Sequence, residues 1–157
     1  MKVRKNMEVI EFSLQSEDIK KHLLEKMSLC DWDAGRYLHW MLETDKFTEI
    51  CGDGSRALML IDGGELMAFC TLAPFDEIES DTMKPWIGFV YTYPQFRGRR
   101  CSGVLVEHAV QLAKADGAES VFVSSEEKGL YEKYGFYYVR DAMSVHGYTT
   151  QIFRRDI

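Results

Sequence analysis

Three arginines, Arg97, Arg99 and Arg100, crowd around Gly98 in the stretch YPQFRGRRCSGVL (93–105), within a chain whose formal net charge is −6. An apolar pattern of helical period begins directly after it. The first backbone N–H groups of a helix have no partners inside the helix, and with the helix dipole they form a site for anions. A glycine just ahead lets the backbone come close to a phosphate. Guanidinium forks match phosphate oxygens. Strand, basic glycine turn and helix together read as a cradle for a diphosphate, past the C-terminal end of a strand, where α/β ligand sites gather. Neither G-x-G-x-x-G nor G-x-x-x-x-G-K-S/T is present, which excludes a dinucleotide fingerprint and a P-loop. On these residues alone, a surface loop with solvated arginines and a turn glycine is also a complete reading.

The elements that must position this turn follow from hydrophobic period and turn residues. MEVIEFS (7–13) alternates as a strand. Ser16 is an N-cap, with Glu17 and Asp18 in the first turn of a helix reaching about Ser28. Asp31 and Asp33 start a second helix through AGRYLHWMLETD, with Tyr37, Trp40 and Met41 on one side. CGDGS (51–55) reads as a loop. RALMLID (56–62) and ELMAFCTLAPF (65–75) are strands joined by the hairpin signal Gly63-Gly64. The polar connection DEIESDTMK leads into PWIGFVYTY, a buried strand. In GVLVEHAVQLAKADG, Val106, Ala109, Val110 and Ala113 form one helical stripe, and Gly117 stops it. SVFVSS is a short buried strand, EEKGLYEKYG a short helix closed by Gly135, and FYYVRDAM and YTTQIFRR two last strands around His146-Gly147. The order β-α-α-β-β-β-α-β-α-β-β predicts an α/β (α+β) architecture with a mixed sheet. Its early strands should be antiparallel, and residues 85–124 should form a right-handed parallel crossover.

Length and composition set the frame. The 157 residues fit one domain over 1–157, and 46% apolar content suffices for a sizeable core. The acidic balance argues against broad nucleic-acid or anionic-membrane binding. Cys30, Cys51, Cys70 and Cys101 form no C-x-x-C pair and share no metal spacing with the four histidines. They read as thiols in a reducing compartment, with no metal site. The charged lead MKVRKNMEVIEF lacks the apolar region of a signal peptide, and no run approaches the roughly 18 apolar residues of a membrane span. The expected location is cytoplasmic.

With the strand before it and the helix after it, YPQFRGRRCSGVL resembles the acyl-CoA signature Q/R-x-x-G-x-G/A of the GNAT superfamily of N-acetyltransferases. LYEKYGF (130–136) resembles the same superfamily's ending, a short helix bearing tyrosine and then Gly-Phe entering a strand. The element order matches as well, so the resemblance spans nearly the whole chain. It departs at two places: aligning Arg97 with Q/R puts Arg100 where the motif has glycine and Ser102 where it has G/A. If residue 100 keeps an ordinary helical φ, the loop survives and Arg100 itself can touch phosphate. If it needs positive φ, arginine is costly there and the loop must differ from the family's.

The resemblance implies an enzyme that uses acetyl-CoA as co-substrate, needs no metal, and acetylates an amine of a small molecule or peptide by direct attack. Arg97, Gly98, Arg99, Arg100, Cys101, Ser102 and Gly103 would hold the diphosphate. Backbone groups of Val90, Tyr91 and Thr92 would meet the pantetheine arm and polarise the thioester carbonyl. Ser124 stands where the family often has asparagine, seven residues before Tyr131, and Tyr131 would give the leaving thiolate its proton. Read without the resemblance, Tyr131 packs its helix onto the sheet with Leu130 and Tyr134. No glutamate lies within the strand 86–93, so the general base is unassigned; Asp76, Glu77, Glu79 and Asp81 in the preceding connection are in reach or simply solvated. His39, Trp40 and Trp86 are read as core or as acceptor-pocket walls. Acidic loops favour a cationic amine such as a polyamine or an aminoglycoside, and pairing through the last strands is one route to a homodimer. A module that binds acyl-CoA without turnover, and a domain holding another phosphate-bearing nucleotide, are the alternative readings.

Overall fold

β1 (Met7–Glu11), β2 (Arg56–Asp62) and β3 (Glu65–Ala73) pair antiparallel in sequence order. Gly63 and Gly64 sit at φ of 60° and 83°, the double positive φ that a two-residue hairpin turn needs to match strand twist. Beyond Glu65 every residue of β3 is buried, the pattern of a strand covered on both faces. This computed structural model describes residues 6–157; the first five residues of the charged lead lie outside the described residues.

The helical segments are α1 (Glu17–Met27), α2 (Asp33–Glu43), α3 (Phe47–Cys51) and α4 (Cys101–Ala115). Ser16 caps α1, its Oγ accepting from Ile19 N at 3.3 Å. Along α4 the stripe Val106, Ala109, Val110 and Ala113 is fully buried, as its spacing requires. The remaining strands are β4 (Trp86–Thr92), β5 (Ser120–Ser125), β6 (Tyr137–Met143) and β7 (Thr149–Asp156). One mixed sheet runs β1-β2-β3-β4-β5-β7-β6. β4 and β5 are parallel and joined through α4, and β7 inserts antiparallel between β5 and β6.

Two local readings change. Residues 47–51 form the short helix α3, which five residues without a periodic stripe do not announce; Gly52 ends it at φ 106°. The segment expected as a short helix is a 3₁₀ turn over Tyr131–Tyr134. Gly129 and Gly135, both at positive φ, bracket it on either side.

Candidate functional site

β4 touches β5 only at Trp86 opposite Phe122 and Ile87 opposite Val123, and beyond that the two parallel strands part. On its other side β4 stays paired with β3, but with one extra residue between Gly88 and Tyr91. This is a β-bulge, and Phe89 within it takes φ of 52°. A non-glycine residue at positive φ is strained, and such strain gathers at functional sites. The parting opens a cleft of about 1310 Å³. Its β4 wall is Ile87 to Thr92, and Ser102, Ser124 and Tyr131 also line it. The β5-facing backbone groups of β4 past Ile87 are thereby left without a strand partner. Val90, Tyr91 and Thr92 lie in this stretch and line the cleft.

The basic turn lies at one end. Arg97 is extended, Gly98 is at φ 84°, Arg100 is left-handed at φ 61° and ψ 27°, and α4 begins at Cys101. Of the two conformations open to residue 100, the chain adopts the costly one, about 1–2 kcal/mol above the right-handed form. The first helical bond runs from Val104 N to Arg100 O at 3.1 Å, so the N–H groups of Ser102 and Gly103 precede the helix's own ladder. Arg97 stacks on Tyr91 at 5.7 Å, and its Nε donates to Thr92 O at 3.0 Å. Arg99 lies 5.5 Å over Phe96. Cys101 turns its thiol inward toward Phe96 O, which leaves only its backbone to face a ligand. Ser102 Oγ is 2.7 Å from Tyr134 Oη. A Cβ on Gly103 would come within 3.1 Å of the Tyr134 ring, so Gly103 is also the seat of that tyrosine. Tyr134 is therefore a packing residue at the helix start.

Tyr131 is 5% exposed, with its ring against Tyr134, Phe136 and Phe153. Burial pushes its phenol well above the usual range, so it stays protonated wherever the protein is folded. Ser124 Oγ lies 2.6 Å from Glu77 Oε2, which accepts its hydrogen, and 3.2 Å from Thr150 Oγ1. Tyr148 Oη donates to the other Glu77 oxygen. Glu77 thus ties β5 to the β6–β7 turn.

The other end of the cleft is acidic and aromatic. Asp31 Oδ1 accepts from Tyr91 Oη at 3.0 Å, and Trp32 stacks on Tyr91 at 5.7 Å. Tyr37 tilts over Phe89 at 6.3 Å. Asp76 reaches in from the β3–β4 connection, and burial raises its carboxyl to about 7. Glu79 and Asp81 stay outside the cleft wall. So do His39, Trp40 and Trp86: Trp40 stacks outside on Tyr37, and Trp86 is core, packed on Phe122. Walls that the sequence gives no sign of include Asp31, Trp32, Asp33, Tyr37, Phe75 and Tyr148. Asp31 and Asp33 had been read only as a helix start, and nothing in their spacing pointed to Tyr91. Among the described residues no cluster of His, Cys, Asp or Glu could hold a metal, and no helix is long and apolar enough to cross a membrane.

Residues 17–136 match the model of the family described as Acetyltransferase (GNAT) family. Solved structures share the fold across almost the full chain. An acyl-CoA N-acyltransferase from Pseudomonas aeruginosa aligns at TM-score 0.61 with 20% identity, over 97% of this chain and 99% of that one. An aminoglycoside 6'-N-acetyltransferase complexed with coenzyme A aligns at 0.68 with 14% identity, over 95% and 96%. A GNAT family acetyltransferase from Elizabethkingia anophelis with acetyl-CoA bound aligns at 0.65 with 13% identity, over 97% and 99%. No curated protein matches the chain.

Proposed function

The chain belongs to the GNAT acetyltransferase family, and from that premise we propose that it transfers an acetyl group from acetyl-CoA to a cationic amine, by direct attack with both substrates bound. Residues 1–157 act as one domain in this reading. The observation that carries it is the parting of β4 from β5 in the same cleft that Arg97, Ser102 and Tyr131 line. The stretch Val90–Thr92, past the point where β4 leaves β5, offers backbone hydrogen bonds to an extended amide-bearing arm. The positive-φ turn Gly98–Arg100 and the first N–H groups of α4 suit a diphosphate. In the bulge, a backbone N–H is well placed to steady the oxyanion that develops as the thioester carbonyl is attacked.

The leaving sulfur needs a proton, and Tyr131 supplies it. A phenol raised by burial looks like a poor acid, but the same surroundings act on the sulfur. The Cys51 thiol, which also lines the cleft, is pushed up to about 12, by burial first and then by the charge of Asp76. A thiolate expelled into this cleft is raised in the same way, so the transfer from Tyr131 is far less uphill than the free values suggest.

Charge speaks for the acceptor class. Asp31, Asp33, Asp76, Glu77 and Glu127 line the cleft, and Arg97 is the only lysine or arginine among the described residues that do so. Trp32 and Tyr37 add ring faces that attract ammonium groups. A polyamine or an aminoglycoside fits this lining, as does a lysine-bearing peptide end.

Thermal unfolding with acetyl-CoA, beside ATP and NAD, tests the donor half. Saturation at about 100 times the dissociation constant stabilises by about 2.7 kcal/mol, a shift of several degrees. Thiol release with spermidine, kanamycin or a lysine peptide tests the transfer half. An equal shift with ATP or NAD, or a shift with acetyl-CoA but no thiol release with any amine, overturns the reading.

A further inference from the structure

Gly88 is an odd residue for the middle of a buried strand, where glycine weakens pairing and packs nothing. Its φ is not positive, so no backbone conformation demands it. Space does. A Cβ placed on Gly88 would collide with Asp76 Oδ1, and Thr71 Oγ1 lies 3.4 Å from the same point. The missing side chain at 88 is therefore the seat of a carboxylate brought in from the β3–β4 connection. That seat adjoins the Phe89 bulge at the point where β4 leaves β5.

The other carboxylates of the cleft have other work. Glu77 accepts from Ser124 and Tyr148, Asp31 accepts from Tyr91, and Asp33 pairs with Arg36 at 3.6 Å. Glu127 is exposed to solvent. Asp76 is held by the Glu77 backbone N–H, and the groups that face it are few: Glu77 beside it, Cys51 at the end of α3, and Tyr131 from the 3₁₀ turn. None of these carries positive charge, so the Glu77 N–H alone favours the ionised carboxylate, and burial outweighs it. Its pKa of about 7 follows from burial, and a base poised near the working pH is the efficient one.

Resting on the transfer reading above, we infer that Asp76, seated against Gly88, is the general base that takes the proton from the incoming amine. The ammonium loses one proton to the Asp76 carboxylate. The freed lone pair forms the bond to the acetyl carbon, and the carbon–sulfur bond breaks with its electrons on sulfur. Tyr131 gives the sulfur its proton. The second proton shed by nitrogen as it becomes an amide restores the tyrosine hydroxyl, and Asp76 returns its own to solvent.

The test is the pH profile of kcat/KM with spermidine for the wild type, Asp76→Asn and Gly88→Ala. The wild type should lose activity as pH falls through about 7. Asp76→Asn should lower kcat by about a hundredfold and abolish that acid limb. Gly88→Ala, which keeps the carboxylate but pushes it from its seat, should also lower kcat. Both variants should keep the thermal shift with acetyl-CoA.

Stability gives a readout apart from activity. A carboxyl raised in the folded state favours folding below its ordinary pKa, and that contribution is lost as pH rises through the folded value. Asp76→Asn should therefore become more stable relative to the wild type as pH rises from about 4 to about 7, and the difference should level off above that. An active wild type whose Asp76→Asn variant keeps both rate and acid limb overturns the role of Asp76 and leaves the transfer reading standing. A wild type that binds acetyl-CoA but acetylates no amine overturns both. Should Asp76→Asn fail to fold, an unchanged kcat in Gly88→Ala overturns the inference.

Discussion

The two ends of the cleft are built in opposite ways. The basic end is nearly continuous in sequence, from β4 through the turn to the start of α4, and in the proposed transfer it holds the donor through backbone groups whose geometry the chain enforces at Phe89, Gly98 and Arg100. The acidic end is gathered from the α1–α2 connection, the β3–β4 connection and the β6–β7 turn, and in the proposed transfer it meets the acceptor through side chains. A handle that never changes can be met by a rigid stretch of backbone. An amine that differs from enzyme to enzyme is met by residues that can be exchanged without disturbing the sheet.

Tyr131 sits where the ends meet, and its replacement should have the largest effect. Tyr131→Phe keeps the ring packed on Phe136 and Phe153 and removes only the hydroxyl. We expect kcat to fall by about a hundredfold, with the acetyl-CoA thermal shift and the KM for amine little changed. A variant that keeps kcat would return Tyr131 to a packing role and leave the sulfur to take its proton from another source.

This contrast also explains what could be read in advance. The basic turn at Arg97–Gly103 and the crossover through α4 were legible because each is local or periodic, whereas Tyr131 stood out only through the family resemblance. The bulge at Phe89 was not, since a phenylalanine in a strand gives no sign of positive φ. Gly88 did carry a signal, as glycine inside a strand marks close approach, but what approaches it comes from Asp76, twelve positions back across a loop. Trp32 over Tyr91 is a tertiary event between α2's start and β4, with no pattern in either segment. Trp86 read as core ahead of wall, and its packing on Phe122 bears out the core reading.

Arg100 sharpens the account of the donor end. Arg100→Ala keeps the left-handed strain and removes the guanidinium, whereas Arg100→Gly removes both. Relief of the strain in the glycine variant is largely offset by the freedom glycine adds to the unfolded chain, so Tm should move by only a few degrees. If the guanidinium touches phosphate, both variants should bind acetyl-CoA about tenfold more weakly by calorimetry. If the backbone alone makes the cradle, Arg100→Gly binds as the wild type does.

Asp33 gives the smallest effect and the most direct probe of the acceptor end. Its carboxylate is almost fully exposed and already shares Arg36 at 3.6 Å, so its attraction for an amine acts through water and salt. Asp33→Asn should raise the KM for spermidine about two- to threefold at low ionic strength, with kcat and acetyl-CoA binding unchanged. The difference should vanish in high salt, because exposed charges farther apart than the Debye length, about 3 Å at 1 M, no longer feel each other. A loss that persists in salt would mean that Asp33 contacts the amine directly, and the acceptor end would then recognise its substrate by close pairing as well as by its field.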